Sequence, residues 1–329
     1  MTLRITRVVG LIAVLLLAAP LAEKSPHAAK VWRIAVVSSP SPPPAPWLDA
    51  FRAALRELGW AEGRNIVVEI RSGKVDRIDE LAAAVVRERF DVIVTSATPV
   101  ARAMKRATTI IPIVMAVASD PIRGGVVDTL AAPGANVTGH TIMGPELAGK
   151  RLELLKQAVP GLSRVALGLP AGRRSEPVVI QYIDEYQAAA RQLGVGFQVI
   201  EVATAGGWDA AFGRLKGAGI GAVAIPEGRT LRSQAPQITA AAIRHRVPTV
   251  HALRDDVVAG GLMSYGPDVV ELWRRSATFV DKILRGAKPA DLPVEQPTRF
   301  ELVLNLKTAT ALGLAIPPSL VSRADQIIE

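Results

Sequence analysis

Short aliphatic runs alternate with amphipathic stretches along most of the chain. The run 33–37 predicts a buried strand, and the apolar spacing over 47–58 predicts a helix that Gly59 is placed to end. Further strands are predicted at 65–70, 91–95 and 110–116, and further helices at 78–90 and 99–107. Strands separated by helices predict a parallel sheet that is covered on both faces.

The same rhythm restarts after residue 139. Helices are predicted at 145–159, 178–193, 208–216 and 233–244, and strands at 164–167, 197–202, 222–225 and 248–250. We therefore predict an α/β protein with two Rossmann-like lobes, lobe 1 over 30–139 and lobe 2 over 140–260. The two sets share an architecture and no residue-level repeat.

The chain after Gly260 follows a different pattern. A short strand at 261–266 precedes a long helix at 269–284 and a proline-rich extended stretch at 288–297. We predict that 261–297 returns to lobe 1, so that several crossing strands form a hinge. Residues 298–329 form a C-terminal segment, with a strand at 300–304, that either lobe could hold.

The first 29 residues have the layout of a secretory signal peptide. Arg4 and Arg7 precede an uncharged aliphatic run over 8–19, and cleavage fits after Ala22 or several residues later. The run is shorter than the roughly 20 residues that a membrane-spanning helix needs. A buried N-terminal strand or helix is the alternative. The layout predicts export to the periplasm and removal of the leader.

Composition narrows the classes of protein that this chain can form. Hydrophobic residues make up 49% of the 329 positions, which supplies a large core, and cysteine is absent. The fold therefore has no disulfide, and no thiol is present to carry a lipid anchor. The net charge of +9 is spread along amphipathic helices, which predicts a solvated basic face and no nucleic-acid partner.

Several polar residues follow predicted strands. They are Ser38, Ser39, Ser96, Thr98, Asp120, Thr138 and Glu227. Ligands of parallel α/β sheets lie beyond the carboxyl ends of the strands, where hydroxyls and helix N–H groups suit a carboxylate. The acidic residues Asp120 and Glu227 suit an ammonium group. Ordinary capping, with Thr98 as a helix N-cap, is the alternative interpretation.

Catalytic patterns are missing from the sequence. It has no Gly-x-Ser-x-Gly elbow and no thiol nucleophile, and we predict no catalytic residue, no metal site and no cofactor. The histidines fit no zinc spacing, and we interpret them as surface or cap residues. They are His27, His140, His245 and His251. We expect a protein that is not an enzyme.

Several longer stretches together resemble one family. They are Gly-Ala-Asn-Val-Thr-Gly at 134–139, Gly-Gly-Leu-Met-Ser-Tyr-Gly-Pro at 260–267, Val-Asp-Lys-Ile-Leu at 280–284, Leu-Pro-Val-Glu-Gln-Pro at 292–297 and Leu-Asn-Leu-Lys at 304–307. From about residue 33 to 329 the chain resembles bacterial ABC-transporter substrate-binding proteins related to tryptophan/tyrosine binders. These have the type I periplasmic binding fold.

The resemblance implies a two-lobed clamp that captures a small solute and presents it to an ABC permease in the inner membrane. It implies a monomer whose ligand loops hold the seven residues above together with Tyr265. The chain departs from the family pattern at Gly-Leu-Pro-Ala-Gly over 168–172 and at Pro-Pro-Pro over 42–44, before Trp47. Both departures touch the expected pocket, so an amino acid and another small carboxylate both remain candidate ligands.

Three other functions share some of these features. A periplasmic binding protein could report to a membrane sensor instead of a permease. An exported hydrolase is disfavoured by the missing nucleophile and metal ligands. A repressor-type ligand domain is disfavoured by the leader and by the absence of a helix-turn-helix.

Overall fold

The computed structural model describes residues 30–39 and 41–329, so the leader at 1–29 lies outside the described residues. The strands are β1 Trp32–Ser38, β2 Ile66–Ser72, β3 Val92–Thr95, β4 Ile113–Met115, β5 Val137–Gly139, β6 Arg164–Pro170, β7 Gly196–Val202, β8 Ala222–Ile225, β9 Thr249–His251, β10 Met263–Pro267, β11 Phe300–Asn305 and β12 Gln326–Ile328. The helices are α1 Ala45–Glu57, α2 Ile78–Arg87, α3 Thr98–Ala107, α4 Ala148–Ala158, α5 Pro177–Gln192, α6 Gly207–Leu215, α7 Arg229–Ser233, α8 Ala235–His245, α9 Arg254–Val258, α10 Val269–Leu284, α11 Leu306–Leu312 and α12 Pro318–Val321.

Lobe 1 is built on a parallel sheet with the strand order β2-β1-β3-β4-β5. In its first strand Ile34 and Val36 pack on one face, and Ala35 and Val37 pack on the other. Successive side chains of a strand point to opposite faces, and helices cover both faces here. This explains why the strand is a continuous aliphatic run, and it confirms the predicted parallel sheet.

Lobe 2 is built on a sheet with the order β12-β11-β10-β9-β8-β6-β7, in which β10 and β11 pair antiparallel and the other pairs are parallel. Trp208 and Phe212 pack on one face, and Tyr182 and Tyr186 on the other. The strands β11 and β12 place the C-terminal segment in this sheet.

Three stretches of the described chain cross between the lobes. The first runs from β5 to α4, the second from β10 to α10, and the third from 297 into β11. At the hinge the Glu295 amide donates to the Gly139 carbonyl over 2.8 Å, and the Thr141 amide donates to the Glu295 carbonyl over 3.0 Å. The segment 261–297 thus begins in the sheet of lobe 2 before α10 covers lobe 1. The exact lobe boundaries stay a prediction.

Two predicted elements begin later in the structure than in the sequence prediction, each of them next to a proline. The strand predicted at 110–116 is shortened to β4, which begins just after Pro112, a residue without an N–H for the ladder. The helix predicted at 233–244 corresponds to α8, which begins at Ala235, while Ser233 ends the preceding helix α7. Pro236 occupies the first turn of α8, where its missing N–H is tolerated.

The interpretation of the histidines as surface or cap residues is wrong for His140 and His251, which are fully buried. The His251 ring lies 2.9 Å from the Thr249 hydroxyl. His140 packs edge-on against Phe279 at the hinge, 3.3 Å from the Ser276 hydroxyl. Burial, together with the nearby Arg275 guanidinium, lowers the pKa of His140 to about 3. The ring is therefore a neutral core group.

The long helix α10 is the main cover of one face of lobe 1. Asp268 caps its start by accepting a hydrogen bond from the Glu271 amide over 3.1 Å. Its Trp273 is fully buried, with its ring centroid 6.2 Å from that of Trp47 and 6.1 Å from that of Phe51. The helix that leaves lobe 2 thus supplies a central part of the core of lobe 1.

Replacing Trp273 by alanine is expected to lower the free energy of unfolding by about 3–5 kcal/mol, because it leaves a cavity among packed aromatic rings. Urea denaturation followed by circular dichroism measures the change. The exposed Thr278 on the same helix provides the control, since Thr278→Ala should change stability by no more than about 0.5 kcal/mol. Equal effects of the two variants would contradict this account of the core.

Candidate functional site

A cleft opens between the lobes at the carboxyl ends of β1, β3, β4, β6 and β8. Its main cavity has a volume of about 190 Å³ and is lined by both lobes. Lobe 1 contributes Ser39, Ile78, Ala97, Thr98, Pro99, Val100 and Ser119, and lobe 2 contributes Leu169, Pro170, Arg173, Val178, Val179, Tyr182, Pro226, Glu227, Gly228, Arg229, Thr230 and Leu231. Most of this wall is apolar, with a few polar groups on each side.

A small cavity of about 50 Å³ adjoins the main cavity. The two cavities share Ala97, Ser119, Glu227, Gly228 and Arg229, and the small cavity is also lined by Trp47, Ser96, Val117, Ile142, Arg232, Leu253 and Asp256. The shared residues include one acidic and one basic side chain. The cleft therefore offers both charges to a single small solute.

Glu227 is the buried acid of the cleft. Its side chain is 6% exposed, and neither carboxylate oxygen accepts a hydrogen bond within the described chain. Burial raises its pKa, and the Arg151 guanidinium, 4.0 Å away, and the nearby Ser119 hydroxyl oppose that rise. A buried carboxylate that accepts no hydrogen bond is energetically costly, and a guanidinium 4.0 Å away offsets only part of that cost.

Arg151 on α4 donates its hydrogen bonds to two backbone carbonyls. Its Nε donates to the Tyr265 carbonyl over 2.8 Å, and its Nη1 donates to the Gly144 carbonyl over 2.8 Å. A Cβ at Gly144 would overlap both the Glu227 carboxylate and the Tyr182 hydroxyl, so glycine is required for them to pack there. The Tyr182 hydroxyl is itself buried and makes no hydrogen bond with the residues that the structure describes.

The wall from lobe 1 presents hydroxyls at the start of α3. The Ser39 hydroxyl is buried and makes no hydrogen bond within the described chain. The Thr98 hydroxyl accepts a hydrogen bond from the Ser119 amide over 3.0 Å. Since α3 begins at Thr98 after Ala97, the expectation that Thr98 is the N-cap is wrong. Its hydroxyl instead links the loop after β3 to the loop after β4 through this hydrogen bond.

The structure brings four of the eight sequence-predicted residues to the cavities. Ser39 and Thr98 line the main cavity, Ser96 lines the small one, and Glu227 lines both. These four come from three strand ends in two lobes, and they face one another only because the lobes approach. Their contact with a ligand stays a prediction.

The other four predicted residues make contacts within the lobes. The Ser38 hydroxyl donates to the Ser41 carbonyl over 2.7 Å. The Asp120 carboxylate accepts hydrogen bonds from the backbone amides of Ile122 and Arg123. Thr138 donates to the Leu292 carbonyl over 2.7 Å, and Tyr265 packs against Phe300 with ring centroids 6.0 Å apart. A ligand role for these residues also stays a prediction.

Sequence reasoning missed Arg229, Tyr182 and Arg232. Arg229 lies two positions after Glu227 in the same strand-end loop, so a longer reading of that loop would have included it. Tyr182 is spaced like a core residue of α5, and no local signal marks it as a cavity residue. No group of histidine or acidic side chains in the described part of the chain could hold a metal ion.

The cleft and the two sheets define a two-lobed solute receptor with the type I periplasmic binding fold. The family model for ABC transporter substrate binding proteins matches residues 34–328, so the chain belongs to this family. Within the described residues, no helix combines the length and the hydropathy that crossing a membrane requires.

Three related proteins are similar to this chain over most of its length. The chain is 25% identical over 268 residues to a tyrosine-binding protein of Clostridioides difficile strain R20291, covering 80% of this chain and 75% of that protein. It is 26% identical to the ABC domain in complex with L-Trp from Streptococcus pneumoniae, with a TM-score of 0.77 over 90% of this chain and 100% of the other. A ligand-free, open substrate binding protein with adhesive properties from Clostridium difficile is 25% identical, with a TM-score of 0.66 over 91% and 99%.

Replacing Arg151 by methionine is expected to lower the free energy of unfolding by about 3 kcal/mol. The change leaves the carbonyls of Gly144 and Tyr265 without their donor and Glu227 without its nearest cation. Urea denaturation measures the change. Lys150→Met on the same helix is the matched control, since Lys150 pairs with the partly exposed Glu153 alone and should contribute less than about 1 kcal/mol. If Arg151→Met is as stable as the wild-type protein, the hydrogen bonds of the guanidinium to the two carbonyls do not stabilise the fold.

Proposed function

We propose that this protein is the exported substrate-binding component of an ABC importer and that it captures an amino acid between its lobes. The observation that carries the proposal is Glu227, a buried acid that lines both cavities of the cleft and whose carboxylate oxygens accept no hydrogen bond from the described residues. A ligand ammonium would supply the missing donors and the opposite charge.

The rest of the cleft suits the other parts of an amino acid. A carboxylate fits the hydroxyls of Ser39, Ser96 and Thr98 at the start of α3, where the helix dipole favours negative charge. A large apolar or aromatic side chain fits the wall of Leu169, Val178, Val179, Tyr182, Ile78 and Val100. The ligands named for the two relatives, tyrosine and L-Trp, support an aromatic amino acid.

The arrangement of the lobes supports capture by closure. The match to the structure in complex with L-Trp has the higher TM-score, 0.77 against 0.66 for the ligand-free, open structure, at nearly equal identity. We infer that ligand contacts favour the closed arrangement and that an ABC permease of the inner membrane recognises it. On this proposal the protein works in the periplasm as a non-catalytic monomer, after removal of the leader.

The first test replaces Glu227 by glutamine, which keeps the shape and removes the charge. L-Tryptophan and L-tyrosine should bind the wild-type protein saturably, and the variant should lose at least about 30-fold in affinity because a buried charge pair is broken. Isothermal titration calorimetry measures both proteins. Glu153→Gln, on an exposed face of α4, should bind as the wild type does. If no amino acid binds the wild-type protein, the proposed function is wrong.

The second test uses pH. Because burial raises the pKa of Glu227, the carboxylate takes up a proton at a higher pH than an ordinary glutamate does. The ammonium binds the ionised form, so the dissociation constant should rise as pH falls through that pKa, by up to about tenfold per pH unit. Titrations between about pH 8 and about pH 4 measure the change.

Other charged groups lie around Glu227: Arg151 and Glu146 act on its charge, and Arg229, Arg232 and Asp256 line the same small cavity. Burial also raises the pKa of Glu146, so Glu146 is a second carboxyl that can contribute to the pH dependence. The Glu227→Gln variant separates the two, since its affinity should show little dependence on pH if Glu227 is the responsible group. A wild-type affinity that stays constant over this range would contradict the assignment.

A further inference from the structure

Two arginines of α7 reach across the cleft from lobe 2 to lobe 1. The Arg229 Nη1 donates to the Ser96 hydroxyl over 2.7 Å, and its Nη2 donates to the Ser41 carbonyl. The Arg232 guanidinium lies over the Trp47 ring, 4.4 Å from the centroid. Because Ser41, Trp47 and Ser96 all belong to lobe 1, α7 is a direct bridge between the lobes.

The charge of Arg229 is not neutralised by these contacts. Both of its acceptors are uncharged oxygens, and its Nε is buried without an acceptor in the described chain. Burial and the like charge of Arg232 lower the pKa of Arg229 to about 10. Among the described residues, the partly desolvated Arg229 guanidinium therefore has no anionic partner, just as the buried Glu227 carboxylate has no hydrogen-bond donor.

The position of Arg229 relates it to the same solute. Arg229 and Glu227 lie two residues apart, and both line the main and the small cavity. We propose that Arg229 binds the carboxylate of the ligand and thereby makes closure of the lobes depend on that carboxylate. The inference rests on the proposed function, in which Glu227 holds the ammonium of the same ligand.

This arrangement predicts a specific kind of selectivity. An amine without a carboxylate can still occupy Glu227, but it leaves the Arg229 guanidinium without an anion. A ligand shifts a conformational equilibrium only through contacts that differ between the two forms. Since Arg229 reaches Ser96 across the cleft, its contact with a carboxylate is made in the closed form, and an amine loses it.

The test compares L-tryptophan with tryptamine, its decarboxylated amine, on the wild-type protein and on Arg229→Gln. L-Tyrosine and tyramine serve as a second pair. In the variant, the affinity for the amino acid should fall roughly 10- to 100-fold, the equivalent of one charge-assisted hydrogen bond. The affinity for the amine should change by less than about threefold, as expected when the residue and the missing group interact directly.

Closure is measured separately by small-angle X-ray scattering. L-Tryptophan should lower the radius of gyration of the wild-type protein, while tryptamine at saturation should lower it less. Arg229→Lys, which keeps the charge, should retain part of the preference for the amino acid. Arg244→Gln is the control, because Arg244 is exposed on lobe 2, lines neither cavity and is paired with Asp209 over 2.7 Å. It should bind both ligands as the wild type does.

Each alternative outcome is distinct. If Arg229→Gln weakens the amino acid and the amine by the same factor, Arg229 bridges the lobes without binding the carboxylate, and the inference is wrong. If neither affinity changes, Arg229 has no part in binding and the inference is also wrong. If the wild-type protein binds no amino acid at all, the proposed function fails and this inference fails with it.

Discussion

The buried guanidinium of Arg151 is the contact on which the geometry of the cleft depends. It donates to the Gly144 carbonyl in the first crossing segment and to the Tyr265 carbonyl in the strand before the second crossing. The same group faces Glu227 from 4.0 Å. One side chain of lobe 2 therefore fixes the backbone on both sides of the hinge and sets the electrostatic environment of the acid.

The two charges of the cleft are held in different ways. Glu227 lies against Gly144 and has a cation nearby, whereas Arg229 extends across to the other lobe, where its hydrogen-bond acceptors among the described residues are neutral oxygens. Unpaired buried charges lower stability, and they are retained where a ligand completes them. The cleft therefore contains an acidic side chain, Glu227, that lies in lobe 2, and a basic side chain, Arg229, that bridges the two lobes. A zwitterion would satisfy both, which neither a simple amine nor a simple acid can do.

Sequence patterns predicted the sheets better than the site. Aliphatic runs such as 33–37 and 91–95 are central strands, because a strand covered on both faces must be apolar throughout. Strand ends likewise pointed to Ser39, Ser96, Thr98 and Glu227. Thr138, by contrast, donates to a carbonyl 154 residues further along the chain, a contact that no local pattern specifies. Tyr182 has the spacing of a core residue, and only the packing of α5 beside the cleft makes it part of the cavity.

The neutral His140 at the hinge lowers the free energy of unfolding in acid. Its pKa is about 3 in the folded protein and about 6.5 for an ordinary histidine, so the unfolded chain binds one more proton between these values. Stability therefore declines as pH falls through this interval, by up to about 1.4 kcal/mol per pH unit. At pH values above about 3 the folded protein keeps most of the rings at the hinge uncharged. Acid would thus favour the unfolded chain before it places a charge inside the hinge.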